Sequence, residues 1–138
     1  MPWKIDWIKD NLTTSLLGQR IIFYPRVTST NLVAGQLIKK GENSGTLILA
    51  EEQSQGRGRK DRQWFSPPEQ GIWLSLILEL FNFPAALSLC NMIATLAVVK
   101  VIKDSVALPA VIKWPNDVLI QNRKVCGILI EAFNRYRK

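Results

Sequence analysis

Val111-Ile-Lys-Trp-Pro-Asn-Asp-Val-Leu-Ile-Gln-Asn-Arg-Lys-Val-Cys-Gly-Ile-Leu-Ile-Glu131 is the stretch on which the fold class turns. It reads as an apolar run, a Pro-Asn-Asp bend, a second apolar run, a polar Gln121-Asn-Arg-Lys124 turn, and a third run from Val125 to Glu131. Proline fixes φ, and asparagine and aspartate bond their own backbone, so both polar stretches reverse the chain. Strands joined by turns this short pair antiparallel. Lys113, Asp117 and Lys124 are charges set against these apolar runs. A charge beside a buried strand is either paired or used. Gly127 inside the last run predicts close approach of a ligand or of another backbone.

Working outward, Pro84 to Lys103 predicts a long helix with Pro84 near its first position and Ser88, Asn91 and Thr95 as its few polar interruptions. Apolar residues circle almost the whole surface, which predicts burial against a sheet on more than one side. Ala85 to Val99 is shorter than the ~20 residues of a membrane span, and Lys100 and Lys103 close it, so it reads as a core helix. Ile72–Leu78, Thr46–Ala50 and Ile21–Tyr24 are further apolar strands. Leu32–Ile38 predicts a helix, capped by Ser29 or Thr30 and stopped near Gly41. Trp3, Ile5, Ile8, Leu12 and Leu16 recur at helical steps, predicting an amphipathic helix over residues 3–17 that Gly18 stops. The resulting order favours an α+β fold with a mixed, mainly antiparallel sheet packed against helices. The lead before Ser29 holds about one helix and one strand, too little for a helix-turn-helix module.

Between two of the strands lies Gln53-Ser-Gln-Gly-Arg-Gly-Arg-Lys-Asp-Arg-Gln-Trp64. Gly56 and Gly58 permit close backbone approach, and Arg57, Arg59 and Arg62 are planar cations that match carboxylate and phosphate oxygens. A basic loop anchored on rigid strands is where binding residues are commonly carried. Ser29, Thr30 and Asn31, at a helix N-terminus, are either a cap or the seat of a polar or anionic ligand.

Composition bounds the chemistry. The 138 residues are 47% hydrophobic and 21% charged, which is globular material read as one domain. A net charge of +7 points to an anionic partner. The absence of histidine excludes imidazole-based triads and histidine zinc sites. Cys90 and Cys126 read as free buried thiols in a reducing compartment, and charges interrupt the apolar N-terminus, so the expected location is cytoplasmic.

With these residues assembled, the sequence resembles the biotin protein ligases. The family's Ser-Thr-Asn motif is matched by Ser29, Thr30 and Asn31. Its loop, Q-x-x-GRGRxGRxW, is matched from Gln53 through Gly56, Arg57, Gly58 and Arg59 to Arg62 and Trp64. Its KWPND and K-x-x-GIL-x-E segments are matched by Lys113–Asp117 and Lys124–Glu131. Asp61 stands where the family usually carries glycine. Family members also continue beyond the equivalent of Lys138, so the match implies a partial catalytic domain spanning residues 1–138. It implies neither an N-terminal DNA-binding domain nor a C-terminal β-domain in this span. The implied fold is that shared by class II aminoacyl-tRNA synthetases and biotinyl/lipoyl ligases, incomplete at the C-terminus, with an exposed edge over Val125–Phe133.

The resemblance implies an ATP-dependent ligase that adenylates biotin and transfers it to a lysine of a biotin carboxyl carrier domain, forming a C–N bond. The catalytic residues it implies are Lys124, Arg59 and Asp117. For biotin it implies Ser29, Thr30, Asn31, Gln53, Gly56, Arg57, Gly58, Arg59, Lys124 and Gly127. For the nucleotide it implies Arg57, Arg59, Arg62, Trp64, Lys113, Asn116 and Lys124. Biotin and ATP are the substrates, Mg2+ accompanies them, and no protein-held metal, DNA or membrane is expected; oligomeric state is left open. Asn116 and Asp117 are placed to orient Lys124, bind magnesium or meet the acceptor lysine. Rival readings are a lipoyl or octanoyl ligase or transferase, a truncated biotin-binding chain or partner subunit without turnover, and RNA binding through the loop. The last is weak because Trp64 is the sole aromatic in the loop.

Overall fold

The apolar runs form two separate three-stranded sheets rather than one. The computed structural model describes residues 3–80 and 84–133. The chain divides into two compact units, one of Met1–Arg57, Asp61–Glu79 and Glu131–Lys138, the other of Gly58–Lys60 and Leu80–Ile130.

The first unit contains α1 (Ile5–Asp10), β1 (Ile21–Tyr24), α2 (Thr30–Lys39), β2 (Leu47–Ala50) and β3 (Trp73–Leu76). β1 and β2 are parallel, which requires a crossover, and α2 supplies it; β3 then returns antiparallel to β2. Ala34, Ile48 and Ile77 form the core, with Tyr24, Val33, Leu37 and Ile38 packed on it. The N-terminal helix stops at Asp10 rather than running to residue 17. Beyond it the Thr13-Thr14-Ser15 run competes with helical bonding, Thr14 donating its hydroxyl to the Leu17 carbonyl while Gln19 donates to the Thr14 carbonyl. Leu16, expected on the apolar face, is exposed, as is Trp7.

The second unit contains α3 (Pro84–Val106), β4 (Ala110–Lys113), β5 (Asp117–Ile120) and β6 (Arg123–Gly127). The strands form an antiparallel meander, as the opening stretch predicts. Gln121 and Asn122 both take positive φ (49° and 62°), the geometry of a two-residue hairpin turn whose twist suits the flanking strands. A bulge between Val118 and Leu119 sets Cys126 opposite Val118 and Lys124 opposite Leu119. β6 ends at Gly127, so Ile128–Glu131 lies outside the strand and Gly127 closes it instead of sitting inside. Val125 is exposed on this edge strand.

α3 corrects a second expectation. One face packs Val99 on Ala110 and Val118, with Val98 and Ile102 beside them. The opposite face stays open, with Ile93 56% and Leu96 55% exposed. Burial on several sides requires more layers than the one sheet of α3's own unit supplies. Ala86–Val106 is long and apolar enough to cross a membrane by length and composition, and 11% of its apolar 18-residue window is buried. Both cysteines are free, as expected, but half-buried rather than buried.

Candidate active site

In the first unit the Ser-Thr-Asn segment opens α2. Ser29 takes the N-cap position with extended backbone (φ −156°, ψ 138°), but its side chain makes no capping bond. Gln53 takes over that role. Its Oε1 accepts from the Thr30 backbone N–H at 2.8 Å and from the Thr30 hydroxyl at 3.0 Å. Its Nε2 donates to Ser66 Oγ at 3.0 Å, and Ser66 Oγ donates to the Trp64 carbonyl at 3.1 Å. One amide side chain thus ties the start of α2 to both ends of the basic loop. The network extends through Ser75, whose hydroxyl lies against Thr30 Oγ1 at 2.8 Å and against Asn31 Oδ1. Asn31 Nδ2 donates to Glu131 Oε2 at 3.0 Å, and Glu131 Oε1 pairs with Arg57 at 3.5 Å. Thr30, Ser66 and Ser75 are buried and hydrogen-bonded, and buried polar groups satisfied in this way are rigid; Ser29 is buried beside them.

The loop itself is narrow. Its strands meet at Gln53 and Ser66, and again at Arg57 and Gln63. Trp64 donates its backbone N–H to the Gly56 carbonyl at 2.7 Å. Lys60 and Asp61 both take positive φ (55° and 56°). Asp61 therefore holds a left-handed conformation, which glycine adopts without steric cost and which aspartate is among the side chains to tolerate. A cleft of about 300 Å³ is lined by Gln55, Gly56, Arg57, Asp61, Arg62 and Gln63. Two guanidinium groups and one carboxylate therefore border it.

In the second unit Lys124 Nζ pairs with Asp117 Oδ1 at 2.8 Å. Lys113, opposite Asp117 in the β4–β5 register, is exposed and is not the residue that Asp117 pairs with. Of the partners open to Asp117, the structure gives it the Lys124 ammonium. Asn116 is buried and fully engaged: its Oδ1 accepts from Arg59 Nη1 at 3.0 Å, and its Nδ2 donates to the Ile128 carbonyl at 2.9 Å. The Ile128 N–H returns a bond to the Asn116 carbonyl at 3.0 Å. The KWPND and GIL segments are so fastened together, and Arg59 is fastened to the first of them through Asn116. Asn91, on α3, donates to the Pro115 carbonyl at 2.9 Å. A cleft of about 290 Å³ is lined by Arg59, Asn91, Met92, Trp114, Pro115 and Ile128, among others. Among the described residues no group of three or more His, Cys, Asp or Glu side chains is placed to hold a metal.

Cys126 reports on this ion pair. Burial pushes its thiol above the usual range, the Lys124 ammonium draws it down, and the Asp117 carboxylate raises it. Thiolate is the form that alkylates. Asp117→Asn removes a raising influence and is expected to speed alkylation of Cys126 near pH 8, whereas Lys124→Ala removes the lowering one and is expected to slow it. Mass-spectrometric alkylation rates check the sign, and equal rates in both variants would show that the pair does not face the thiol.

A model of the biotin/lipoate A/B protein ligase family matches residues 23–137. The chain belongs to this family. Within the biotin/lipoate ligase family it is similar to the bifunctional ligase/repressor BirA of Bacillus subtilis (strain 168), with 37% identity over 124 residues, covering 90% of this chain and 38% of the relative. It is also similar to the biotin–[acetyl-CoA-carboxylase] ligase of Paracoccus denitrificans, at 37% identity over 113 residues, covering 78% of this chain and 45% of the relative. Among solved structures, the biotin protein ligase from Aquifex aeolicus in complex with biotin and ATP matches with a TM-score of 0.73 and 31% identity, over 85% of this chain and 48% of that one. The chain thus spans less than half the length of these relatives.

The ligase motifs fall into two sets. Ser29, Thr30, Asn31, Gln53, Gly56, Arg57, Arg62 and Trp64 belong to the first unit, and Gly58, Arg59, Lys113, Asn116, Asp117, Lys124 and Gly127 to the second. Sequence reasoning missed Ser66, Ser75 and Glu131 as site residues. Ser75 carried a usable signal, because a lone hydroxyl between Leu74 and Leu76 in an apolar strand needs a polar partner.

Proposed function

We propose that this chain binds biotin and ATP and carries out the adenylation and transfer chemistry of a biotin protein ligase. The observation that carries the reading is the wiring of the Ser-Thr-Asn element into the basic loop through Gln53, with Arg57 at its end. Family membership and the biotin- and ATP-bound Aquifex relative support it.

In the first step a biotin carboxylate oxygen attacks the α-phosphorus of ATP, and pyrophosphate leaves. In the second a lysine amine of a biotin carboxyl carrier domain attacks the acyl carbon, and AMP leaves. Neither step needs a protein nucleophile, so the absence of histidine is no obstacle to either. What is needed is positive charge where phosphoryl oxygens develop negative charge. Lys124 is assigned to that role, and Asp117 to orienting its ammonium. Arg57, Arg59 and Arg62 are assigned to carboxylate and phosphate oxygens, with the Gly56, Gly58 and Gly127 backbone allowing close approach. Ser29, Thr30, Asn31 and Gln53 are assigned to biotin's polar ring, Trp64 to covering the ligand, and Lys113 and Asn116 to the nucleotide side. Magnesium enters on the ATP phosphates, in keeping with its preference for substrate oxygens and water. The proposed location is the cytoplasm.

The test is biotin-dependent ATP–pyrophosphate exchange by the purified chain, followed by biotin transfer to a carrier domain. Exchange that requires biotin and is not supported by lipoate is the expected result. Exchange with lipoate alone, or none with either acid, would overturn the assignment.

A further inference from the structure

Glu131 belongs to no substrate assignment, yet its carboxylate holds two elements at once. One oxygen accepts from Asn31, 100 residues away in sequence, and the other faces Arg57. Its side chain is 25% exposed and that of Arg57 36%, so the carboxylate is partly dehydrated and needs its cation. The Asn31 amide is fixed from both ends, with Ser75 as donor to its oxygen and Glu131 as acceptor from its nitrogen. The 3.5 Å separation from Arg57 exceeds the roughly 2.8 Å of a tight charged hydrogen bond. Glu131 therefore orients the guanidinium without saturating its five N–H donors, which stay available to an anion.

We propose that Glu131 is a positioning residue that couples the polar-ring element at Asn31 to the anion-binding arginine at the base of the loop. Through it, the group that recognises the neutral end of the substrate sets the orientation of the group that meets its charged end. The inference rests on the biotin-ligase reading for the identity of the substrate, but the mechanical tie stands on the geometry of the first unit alone.

Glu131→Gln keeps the shape and removes the charge. In the ligand-free 138-residue chain, amide hydrogen exchange over Gly56–Trp64 is expected to speed up about threefold to fivefold, the size associated with losing one partly exposed ion pair, while β4–β6 stays unchanged. The dissociation constant for biotin is expected to rise by a similar factor. Glu131→Gln/Arg57→Gln should bind no worse than Arg57→Gln alone, and Glu131→Asp should recover part of the loss. A structural role alone would give additive losses and faster exchange across the whole first unit. Either that pattern or unchanged loop exchange would overturn the coupling. Should the wild-type chain fail to bind biotin, the ligase reading falls, and loop exchange still decides the tie.

Discussion

Lys124→Ala is expected to lower biotin-dependent ATP–pyrophosphate exchange by about 10²–10³-fold, the range seen when one preorganised electrostatic contact to a developing oxyanion is removed. The ammonium pairs with Asp117 at 2.8 Å, on adjacent strands of a bulged hairpin that fixes where the charge stands. The two side chains are 38% and 21% exposed, so solvent screening holds the pair's contribution to stability to about 1 kcal/mol or less. Loss of exchange thus reports lost charge at the reaction rather than lost fold, and an almost unchanged melting temperature would confirm this. Lys124→Arg should rescue poorly, because a planar fork does not reproduce a compact ammonium. Asp117→Asn leaves the charge and removes its orienting partner, so a smaller loss carried by kcat is expected. Near-normal pyrophosphate release by Lys124→Ala would refute the assignment.

What the sequence revealed and what it hid follow from the range of the forces involved. Strands were legible where apolar runs met turn residues, as at Gln121-Asn122, because both signals are local. α2 was legible for the same reason, but its cap was not: Ser29 holds the position while Gln53, 23 residues from Thr30, makes the bonds. The α1 boundary was misjudged because the apolar spacing out to Leu16 ignored the Thr-Thr-Ser run that bonds its own backbone. α3 has the composition of a buried helix, but composition does not say how many layers surround it. The motifs located Lys124 and Asp117, whereas the identity of Lys124's partner depended on strand register and a bulge. Glu131 could be quoted from the GIL-x-E segment without any sign that its partners were Asn31 and Arg57.

Gly56→Ala tests whether the loop's shape, rather than its charge, carries binding. A Cβ at Gly56 would stand 2.2 Å from the Trp64 carbonyl oxygen and 2.5 Å from Ser66 Oγ. The carbonyl is main chain, held where the Trp64 N–H meets the Gly56 carbonyl at 2.7 Å, so it cannot swing aside as a flexible side chain would. The least costly response is separation of the two loop strands, which breaks that bond and pulls Ser66 from Gln53. With Ser66 gone, Gln53 loses the support that aims its Oε1 at Thr30, and Arg57, next in sequence, moves with the loop. Biotin affinity is expected to fall at least a hundredfold, since about 3 kcal/mol of positioning is lost when two buried hydrogen bonds are broken. Gly41→Ala is the control. Nothing lies within 4 Å of its Cβ, but its φ of +91° is unfavourable to any side chain, so it should cost about 1 kcal/mol of stability and leave biotin affinity unchanged. If Gly56→Ala bound biotin as well as Gly41→Ala at matched stability, the loop would be a tether for its arginines and the close approach of its two strands would be incidental.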